Sequence, residues 1–484
     1  MKDEAHLCDI LSADDITTEV ISILLSDARG EYARVGSLTL QPFVGGVLSE
    51  VVNVTLCYVG DSEDFDRVQR CVSHGAVKSD GVGRDPTSSS DTLVIDRNCR
   101  RPERRLLPRG IVAKLNRKDH PQDRMFRVEG AFYSRHATRL QLDGTGGGSS
   151  GPTFPFRIPT AVSCSSSCIL LERIDHTLRY CLAEGCPVGM TDGMVSNLAA
   201  MHAHCWLGAP AAAERFRDLS GSPGVGMSLC GLERERLFEV RWEEYVDGCV
   251  SECGLSSGEI AALRSVCAEL LTGRRLREVH DLVASYRPTL IHGDFHAANV
   301  LYPMVDDSVL AHLTGPPQVE PLDQRPWLLD WATCGAGNPL FDLTFFLIVS
   351  ATQAMDDPRE TERLLRLYHS KLTGGESGRA AEISHDLPYN RCLDIYRGCV
   401  LNEFLILVAY NRLSGEFIRA TENSSLRKER LAHFCNVNRH CIRALLSPLM
   451  NIHHYSLPPK KSKSELAADQ AALDKESRLL GMQL

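Results

Sequence analysis

The chain has 484 residues, a formal net charge of −9 and 43% hydrophobic residues. That is too long for one simple core and suits two lobes or two to three domains, and the apolar share is that of a folded chain rather than a disordered one. The mild acidity argues against a nucleic-acid protein, because phosphate contacts need clustered Lys and Arg. The start, MKDEAHLCDI, is charged and lacks the apolar core of a secretory signal. No run approaches the roughly 20 apolar residues of a membrane span. The longest candidate, LTFFLIVSA at Leu343–Ala351, is too short. A cytoplasmic location is the expectation. The 18 Cys are scattered, so reduced thiols are expected rather than a disulfide framework. Cys164/Cys168 and Cys181/Cys186 lie near His176, His202 and His204, but the spacings are not those of a zinc finger. Small buried thiols are the expectation there.

The predicted elements begin with SADDITTEVISILL, Ser12–Leu25. Ser12 with Asp15 resembles a capping box, and Ile16, Val20, Ile23 and Leu24 share one helical face. The stretch Gly36–Gly60 predicts two strands joined at Gly45-Gly46. Ser73–Arg109 is polar and rich in Ser, Gly and Arg, so it reads as a long insertion in a loop. Gly110–Lys118 predicts a strand and Asp123–Ala137 a helix, with Phe126, Ala131 and Phe132 near one face. GTGGGSSG, Gly144–Gly151, is a flexible connection. FRIPTAVSC and SSCILLERID then read as a hairpin ending near Glu172.

After this the pattern turns helical, first at Met194–Trp206. The stretch LIHGDFHAANVLY, Leu290–Tyr302, interrupts it with two short apolar strands around a polar loop. A second insertion at Met304–Arg325 leads to a predicted strand at Pro326–Ala332. Helices then run to about Leu449, and a basic, Pro-led tail closes the chain. The expectation is α+β and two-lobed, with an N-terminal helical extension at 1–35. The β-rich N-lobe is placed at 36–172, the helical C-lobe at 173–455 and the tail at 456–484.

The chemistry concentrates in the loop and the strand that follows. Asp294 and Asn299 sit five residues apart, and Asp330 ends the apolar run WLLD. Phosphoryl transfer from a nucleotide needs such a set: one Asp to accept or orient the attacking hydroxyl's proton, and an Asn and a second Asp to hold Mg²⁺ on the phosphates. The β-rich part supplies the rest. Lys114 lies on a strand where it can reach phosphate oxygens, and Glu129 lies on the next helix where it can pair with Lys114. Gly45 and Gly46 let backbone N–H groups approach phosphates. The hinge Leu170–Asp175, with Glu172 and Ile174, can offer backbone groups to an adenine edge. Taken singly, Lys114 and Glu129 are ordinary surface charges and Gly45-Gly46 a hairpin turn. HGDFHAAN followed by LLDW is far more specific, and the order of all the pieces strengthens the joint case.

HGDFHAANVLY resembles the HGDxxxxNxL loop of the aminoglycoside phosphotransferase and choline kinase superfamily. LLDWATCGAGNPLFDLTFFL resembles that superfamily's IDWxxxGxGxxxxDLA block, with Asp342 as a buried structural Asp. EGAFY at Glu129–Tyr133 and LAAMHAHCW at Leu198–Trp206 resemble the ExxFY and LAxLHAxxW helices of its ecdysteroid kinase-like (CHK kinase-like) subgroup. SADDITTEVIS resembles that subgroup's opening helix, and the likeness spans residues 12–415.

The resemblance implies a protein-kinase-like fold, ATP, Mg²⁺ and a small-molecule hydroxyl acceptor. It implies Asp294 as catalytic base, Asn299 and Asp330 as metal ligands, Lys114 on phosphate and Glu129 supporting Lys114. LDWA stands where IDWQ is common, and both insertions are unusually long. His292 is expected to orient the loop, His296 to face the substrate, and His202 and His204 to pack or hydrogen-bond on a core helix. Trp206, Trp242, Tyr245, Tyr396, Phe404 and Tyr410 either cage a cationic acceptor or pack as core. The other reading of the chain is a pseudokinase or scaffold without turnover. A protein kinase is disfavoured, because no APE-type segment or Gly-x-Gly-x-x-Gly loop is present.

Overall fold

The computed structural model describes residues 12–29, 35–43, 49–58, 110–116, 123–142, 153–175, 177–179, 185–219, 241–247, 253–271, 283, 286–303, 324–351, 355–374, 378–421 and 424–450. Gly45, Gly46, the insertion at 73–109, residues 304–323 of the second insertion and the tail at 456–484 lie outside them. The described residues fall into two compact units. One draws on Met1–Cys181, Asn197–Met227 and Pro288–Asp342, the other on Leu182–Ser196, Ser228–Arg287 and Leu343–Leu484.

The first unit opens with a 3₁₀ turn, Ala13–Asp15, in which Asp15 accepts from the Ser12 N–H at 2.8 Å and its hydroxyl at 3.0 Å. Helix α1, Thr18–Arg29, starts only after this turn. Within this helix Ile21, Leu24 and Leu25 are buried, while Ile23, expected on the buried face, is exposed. Two residues advance an α-helix by about 200°, so Ile21 and Ile23 cannot share a face.

Strands β1 (Val35–Phe43), β2 (Ser49–Tyr58) and β3 (Gly110–Asn116) follow, then β4 (Ala161–Cys164) and β5 (Cys168–Glu172). They form one antiparallel sheet in the order β1-β2-β3-β5-β4. The predicted hairpin after the Gly-rich stretch is therefore present as β4 and β5. Val52, Val54 and Leu56 alternate along β2, and Ile111, Ala113 and Leu115 along β3. These residues share one core cluster with Ile21, Leu24 and Leu25 of α1. Because side chains alternate along a strand, Lys114 points to the opposite face of the sheet. Its cross-strand partner there is Ile169.

A helix carries Glu129 to that opposite face. It runs as α2, Asp123–Ala131, widens into a π-helical segment, Phe132–Ala137, and ends as α3, Thr138–Leu142. The sequence gives no sign of the π segment, which is read only from backbone geometry. The change of hydrogen-bond ladder disturbs local carbonyl pairing, and the Ser134 hydroxyl donates to Gly130 O at 2.8 Å. The segment also places Phe132 flat against Trp331, with ring centroids 4.0 Å apart and planes at 10°.

Shorter pairings complete the first unit. Strands β6 (Thr177–Arg179), β8 (Val300–Pro303) and β9 (Trp327–Leu328) form one ladder, and β7 (Thr289–Ile291) pairs with β10 (Gly335–Gly337). Strand β9 stops at Leu328, two residues short of the expected Asp330. Helix α4, Val188–His204, contributes its last turns, and α5, Ala209–Arg215, follows.

The described elements of the second unit are helical: α6 (Ser257–Leu271), α7 (Pro339–Val349, whose first residues belong to the first unit), α8 (Pro358–Thr373), α9 (Gly378–Asp386), α10 (Tyr389–Arg419) and α11 (Ser424–Leu446). Trp242, Tyr245, Tyr396 and Phe404 are all buried. Tyr245 donates to Asn438 Oδ1 at 2.8 Å and meets Phe404 edge-on. These contacts favour the core-packing reading of the aromatics, and the Tyr410 side chain lies outside the description. The α+β class expected from the sequence is thus observed. No helix among the described residues is long and apolar enough to cross a membrane.

Phe132→Ala removes the ring stacked on Trp331, and such core truncations cost about 3–5 kcal/mol. A urea unfolding midpoint that falls accordingly is the expected outcome, whereas an unchanged midpoint shows that the stack contributes little.

Candidate active site

Lys114 is where the first unit brings distant chain segments together. Its Nζ donates to Glu129 Oε1 at 2.6 Å and to Asp330 Oδ1 at 2.9 Å. The Lys114 side chain is 15% exposed, Glu129 only 4%, and Asp330 opens to 44%. Burial acts to lower the Lys114 pKa, but the charges of Asp330 and Glu129 outweigh it and raise the pKa above the ordinary lysine value. The ammonium is therefore held charged. Burial pushes Glu129 up to about 7, although Lys114 opposes that shift. For Asp330, desolvation is outweighed chiefly by Lys114, so its carboxyl stays below the usual range.

Asp330 is the one described non-glycine residue with positive φ, at 62°. Asp tolerates this left-handed conformation better than most residues, and such positions cluster where function fixes the backbone. Two contacts brace the turn: Trp331 Nε1 donates to Leu328 O at 3.1 Å, and Trp331 stacks on Phe132. The turn aims the Asp330 carboxylate at Lys114.

The HGDFHAAN loop is built around Asp342 at the start of α7. The Asp342 carboxylate accepts from the backbone N–H groups of His292 and Gly293, each at 2.7 Å. His202 Nε2 lies 3.2 Å from its Oδ2, and both side chains are fully buried. The His202 carbonyl in turn accepts from Thr289 Oγ at 2.8 Å. Gly293 has φ 81°, which an L side chain rarely adopts. Gly is needed there so that successive N–H groups can turn onto one carboxylate.

His292 links the two acidic segments. Its Nδ1 accepts from Asp294 N–H at 3.3 Å, which leaves Nε2 to donate to Leu329 O at 2.8 Å. Burial lowers the His292 pKa, and neighbouring carboxylates do not restore it, so the ring is neutral with its proton on Nε2. That assignment makes it an orienter of the loop. Thr333 Oγ closes the same region by donating to His292 O at 3.0 Å.

Asn299 Nδ2 donates to the Asp294 carbonyl at 3.0 Å. Asn299 O accepts from Leu329 N–H at 2.9 Å, so the loop and the Asp330 turn share this bond also. The Asn299 Oδ1 accepts no hydrogen bond from a described residue. His296 Nε2 stands 3.5 Å from Asp294 Oδ2. Desolvation of Asp294 is outweighed mainly by His296, then by His292 and Asn299, so its carboxyl is held below the usual range. An ionised carboxylate that can accept a proton, a free amide oxygen and a second, half-exposed carboxylate are thereby gathered together.

Lys114, Glu129, Asp294, Asn299 and Asp330 thus form one connected set. Glu172 and Ile174 lie apart from it: the Glu172 N–H is used by Thr160 O at 2.9 Å, and Ile174 is partly buried beyond the strand end. Gly45 and Gly46 lie outside the described residues, between β1 and β2. His202 pairs with Asp342 as a core histidine, and His204 meets Phe154 edge-on at 5.5 Å. Among the described residues, no group of three or more His, Cys, Asp or Glu side chains is placed to hold a metal. Sequence reasoning did not single out Thr333 or the stacking role of Trp331. Only the place of Trp331 directly after Asp330 in LLDW offered a hint.

The ecdysteroid kinase-like family model matches residues 184–376, which include the HGDFHAAN loop, LLDW and Asp342. The resemblance read from the motifs is thereby borne out for that part of the chain. No curated protein matches in sequence. Among solved structures, a choline kinase from Cryptosporidium parvum is 8% identical, with 85% of this chain and 92% of that one covered and a TM-score of 0.39. An ethanolamine kinase from Plasmodium vivax is 11% identical, with 82% of each chain covered and a TM-score of 0.39. An aminoglycoside phosphotransferase from Alicyclobacillus acidocaldarius is 14% identical, with 70% and 86% covered and a TM-score of 0.37.

Asp342→Ala leaves two buried N–H groups without their acceptor, and removal of one member of such a buried charged network costs about 3–5 kcal/mol. Chemical denaturation of the variant should show that loss. A loss below 1 kcal/mol, as seen for many exposed pairs, contradicts the central place given to this carboxylate.

Proposed function

We propose that the chain is a kinase that moves the γ-phosphoryl group of ATP to a hydroxyl of a small molecule, with Mg²⁺ as its metal. The observation that carries this reading is the Lys114 ammonium bound to both Glu129 and Asp330, residues from separate chain segments. The partial match to the ecdysteroid kinase-like family adds support.

The donor chemistry fits the metal. Mg²⁺ takes oxygen ligands, keeps several waters, and is commonly bound through one or two protein carboxylates together with substrate phosphates. Asn299 Oδ1 and the Asp330 carboxylate are such oxygens, and they would hold it. When bound, the metal neutralises charge on the phosphate oxygens.

The chain's own residues do the rest. Lys114 binds phosphate oxygens, and Glu129 keeps its ammonium from turning away. Asp294 orients the acceptor hydroxyl and takes its proton as the new P–O bond forms and the bond to the departing diphosphate breaks. Its depressed pKa keeps it ionised at neutral pH. Asn299 fixes the Asp294 backbone, and His292 fixes the loop against the Asp330 turn. Gly45, Gly46, Glu172 and Ile174 are proposed to line the nucleotide. The acceptor is a small alcohol, with choline, ethanolamine, sterol, sugar and aminoglycoside hydroxyls as the first probes.

Asp294→Asn should reduce transfer to the best acceptor of that panel by about 10²- to 10⁴-fold, with MgATP affinity kept within about threefold, which is below 1 kcal/mol. ADP release by wild type and variant measures this. Full activity in Asp294→Asn contradicts the assignment.

A further inference from the structure

Asp218 is a charged group that the proposed chemistry does not use. It lies in a 3₁₀ turn, Arg217–Leu219, that follows α5. Two consecutive side chains of the π segment reach its carboxylate. Arg135 Nη1 donates to Oδ2 at 3.1 Å. His136 Nε2 lies 3.0 Å from Oδ1 and 3.1 Å from Oδ2. Burial acts to raise the Asp218 pKa, but His136 and then Arg135 outweigh it and hold the carboxyl below its ordinary value. An ionised carboxylate only accepts, so His136 Nε2 carries a proton and donates it. The His136 side chain is 12% exposed and Asp218 26%, whereas Arg135 is mostly in water. Partly exposed pairs of this kind add little stability, so what the cluster supplies is orientation.

The placement sets that orientation. Consecutive residues point about 100° apart around an α-helix, and somewhat less in a widened π turn. Two neighbours that meet one carboxylate therefore grip it from two sides. Turning the helix about its axis in either direction pulls one of them away. The same helix carries Glu129, which precedes His136 by two turns.

The turn that carries Asp218 is itself seated. Phe216, just before it, is fully buried, and its ring lies 5.6 Å from the His136 ring. The Leu219 N–H donates to Phe216 O at 3.0 Å. The Leu219 carbonyl comes so close to Gly335 that a Cβ there would stand 3.2 Å from it. Gly335 belongs to β10 and pairs with Ile291 of β7, the residue before His292. Asp218 thus stands between the Glu129 helix and the strand pair that leads into the HGDFHAAN loop.

We propose that Asp218 is a positioning residue: by holding Arg135 and His136 it fixes the rotation of the helix that carries Glu129, and so sets the Glu129–Lys114 pair. The step to Lys114 and its phosphate rests on the kinase reading, whereas the hold on the helix does not.

Hydrogen–deuterium exchange of the full chain without nucleotide, on wild type and Asp218→Ala, reads the hold on the helix. The amides of residues 123–142 should exchange about fivefold faster or more in the variant, with β3 unchanged. Unchanged exchange in 123–142 overturns the proposal. Equal acceleration in β3 also overturns it, because the whole unit is then loosened.

MgATP titration calorimetry on wild type, Asp218→Ala, Glu129→Gln and the double variant reads the second link. Asp218→Ala should weaken affinity about fivefold to tenfold, but less than about twofold when Glu129 is already Gln. Unchanged affinity overturns the positioning of Lys114. An equal loss in both backgrounds overturns it too, because Asp218 then acts by a route other than Glu129. If wild type binds no MgATP, the kinase reading fails and the step to Lys114 fails with it, while the exchange experiment still decides the hold on the helix.

Discussion

A lysine ammonium that is mostly out of water needs compensating charge, and the first unit is organised to give it two carboxylates. An isolated buried charge would shift its pKa and neutralise. Lys114 instead stays charged because Glu129 arrives from a helix and Asp330 from a left-handed turn. Each arrival has its own support. The helix is held by the Phe132–Trp331 stack, and the turn by Trp331 and by the bond from His292 to Leu329. The ion pair is therefore less a source of stability than a constraint that three segments must satisfy together.

The Asp342 carboxylate plays the complementary part for the HGDFHAAN loop. Two backbone N–H groups and His202 converge on it, and Gly293 supplies the left-handed φ that lets them do so. From there the connection runs through neutral His292 to the Asp330 turn, and through Asn299 to both Asp294 and Leu329. The Asp294 carboxylate, the Asn299 amide oxygen and the Asp330 carboxylate are thus carried on backbone segments that these hydrogen bonds tie together. Such preorganisation is what the proposed phosphoryl transfer would draw on.

Much of this was legible in the sequence. HGDFHAAN and LLDW carry strict local geometry, since the Gly must turn and the Asp and Asn must sit a fixed distance along one loop. Lys114 was legible as a strand residue because alternation on β3 separates it from Ile111, Ala113 and Leu115. Other features were not legible, for physical reasons. The π segment depends on a local change of hydrogen-bond ladder, which FYSRHA does not announce by periodicity. The buried face of α1 centres on Ile21, Leu24 and Leu25 rather than Ile23, a choice between two apolar stripes that spacing alone leaves open. The strand expected through Asp330 ends at Leu328 because the left-handed Asp330 cannot continue an extended ladder. The aromatic residues of the helical unit could not be sorted between core and ligand cage by spacing alone, and burial decided for packing where their side chains are described.

The most direct measurement is thermal unfolding of wild type and Asp330→Ala with ATP, each with and without Mg²⁺. Ligand bound only by the native state adds about 2.7 kcal/mol at a hundredfold excess over Kd. The account predicts a Mg²⁺-dependent rise in Tm for wild type that is lost in Asp330→Ala. An equal rise in both proteins, or none in wild type, contradicts it.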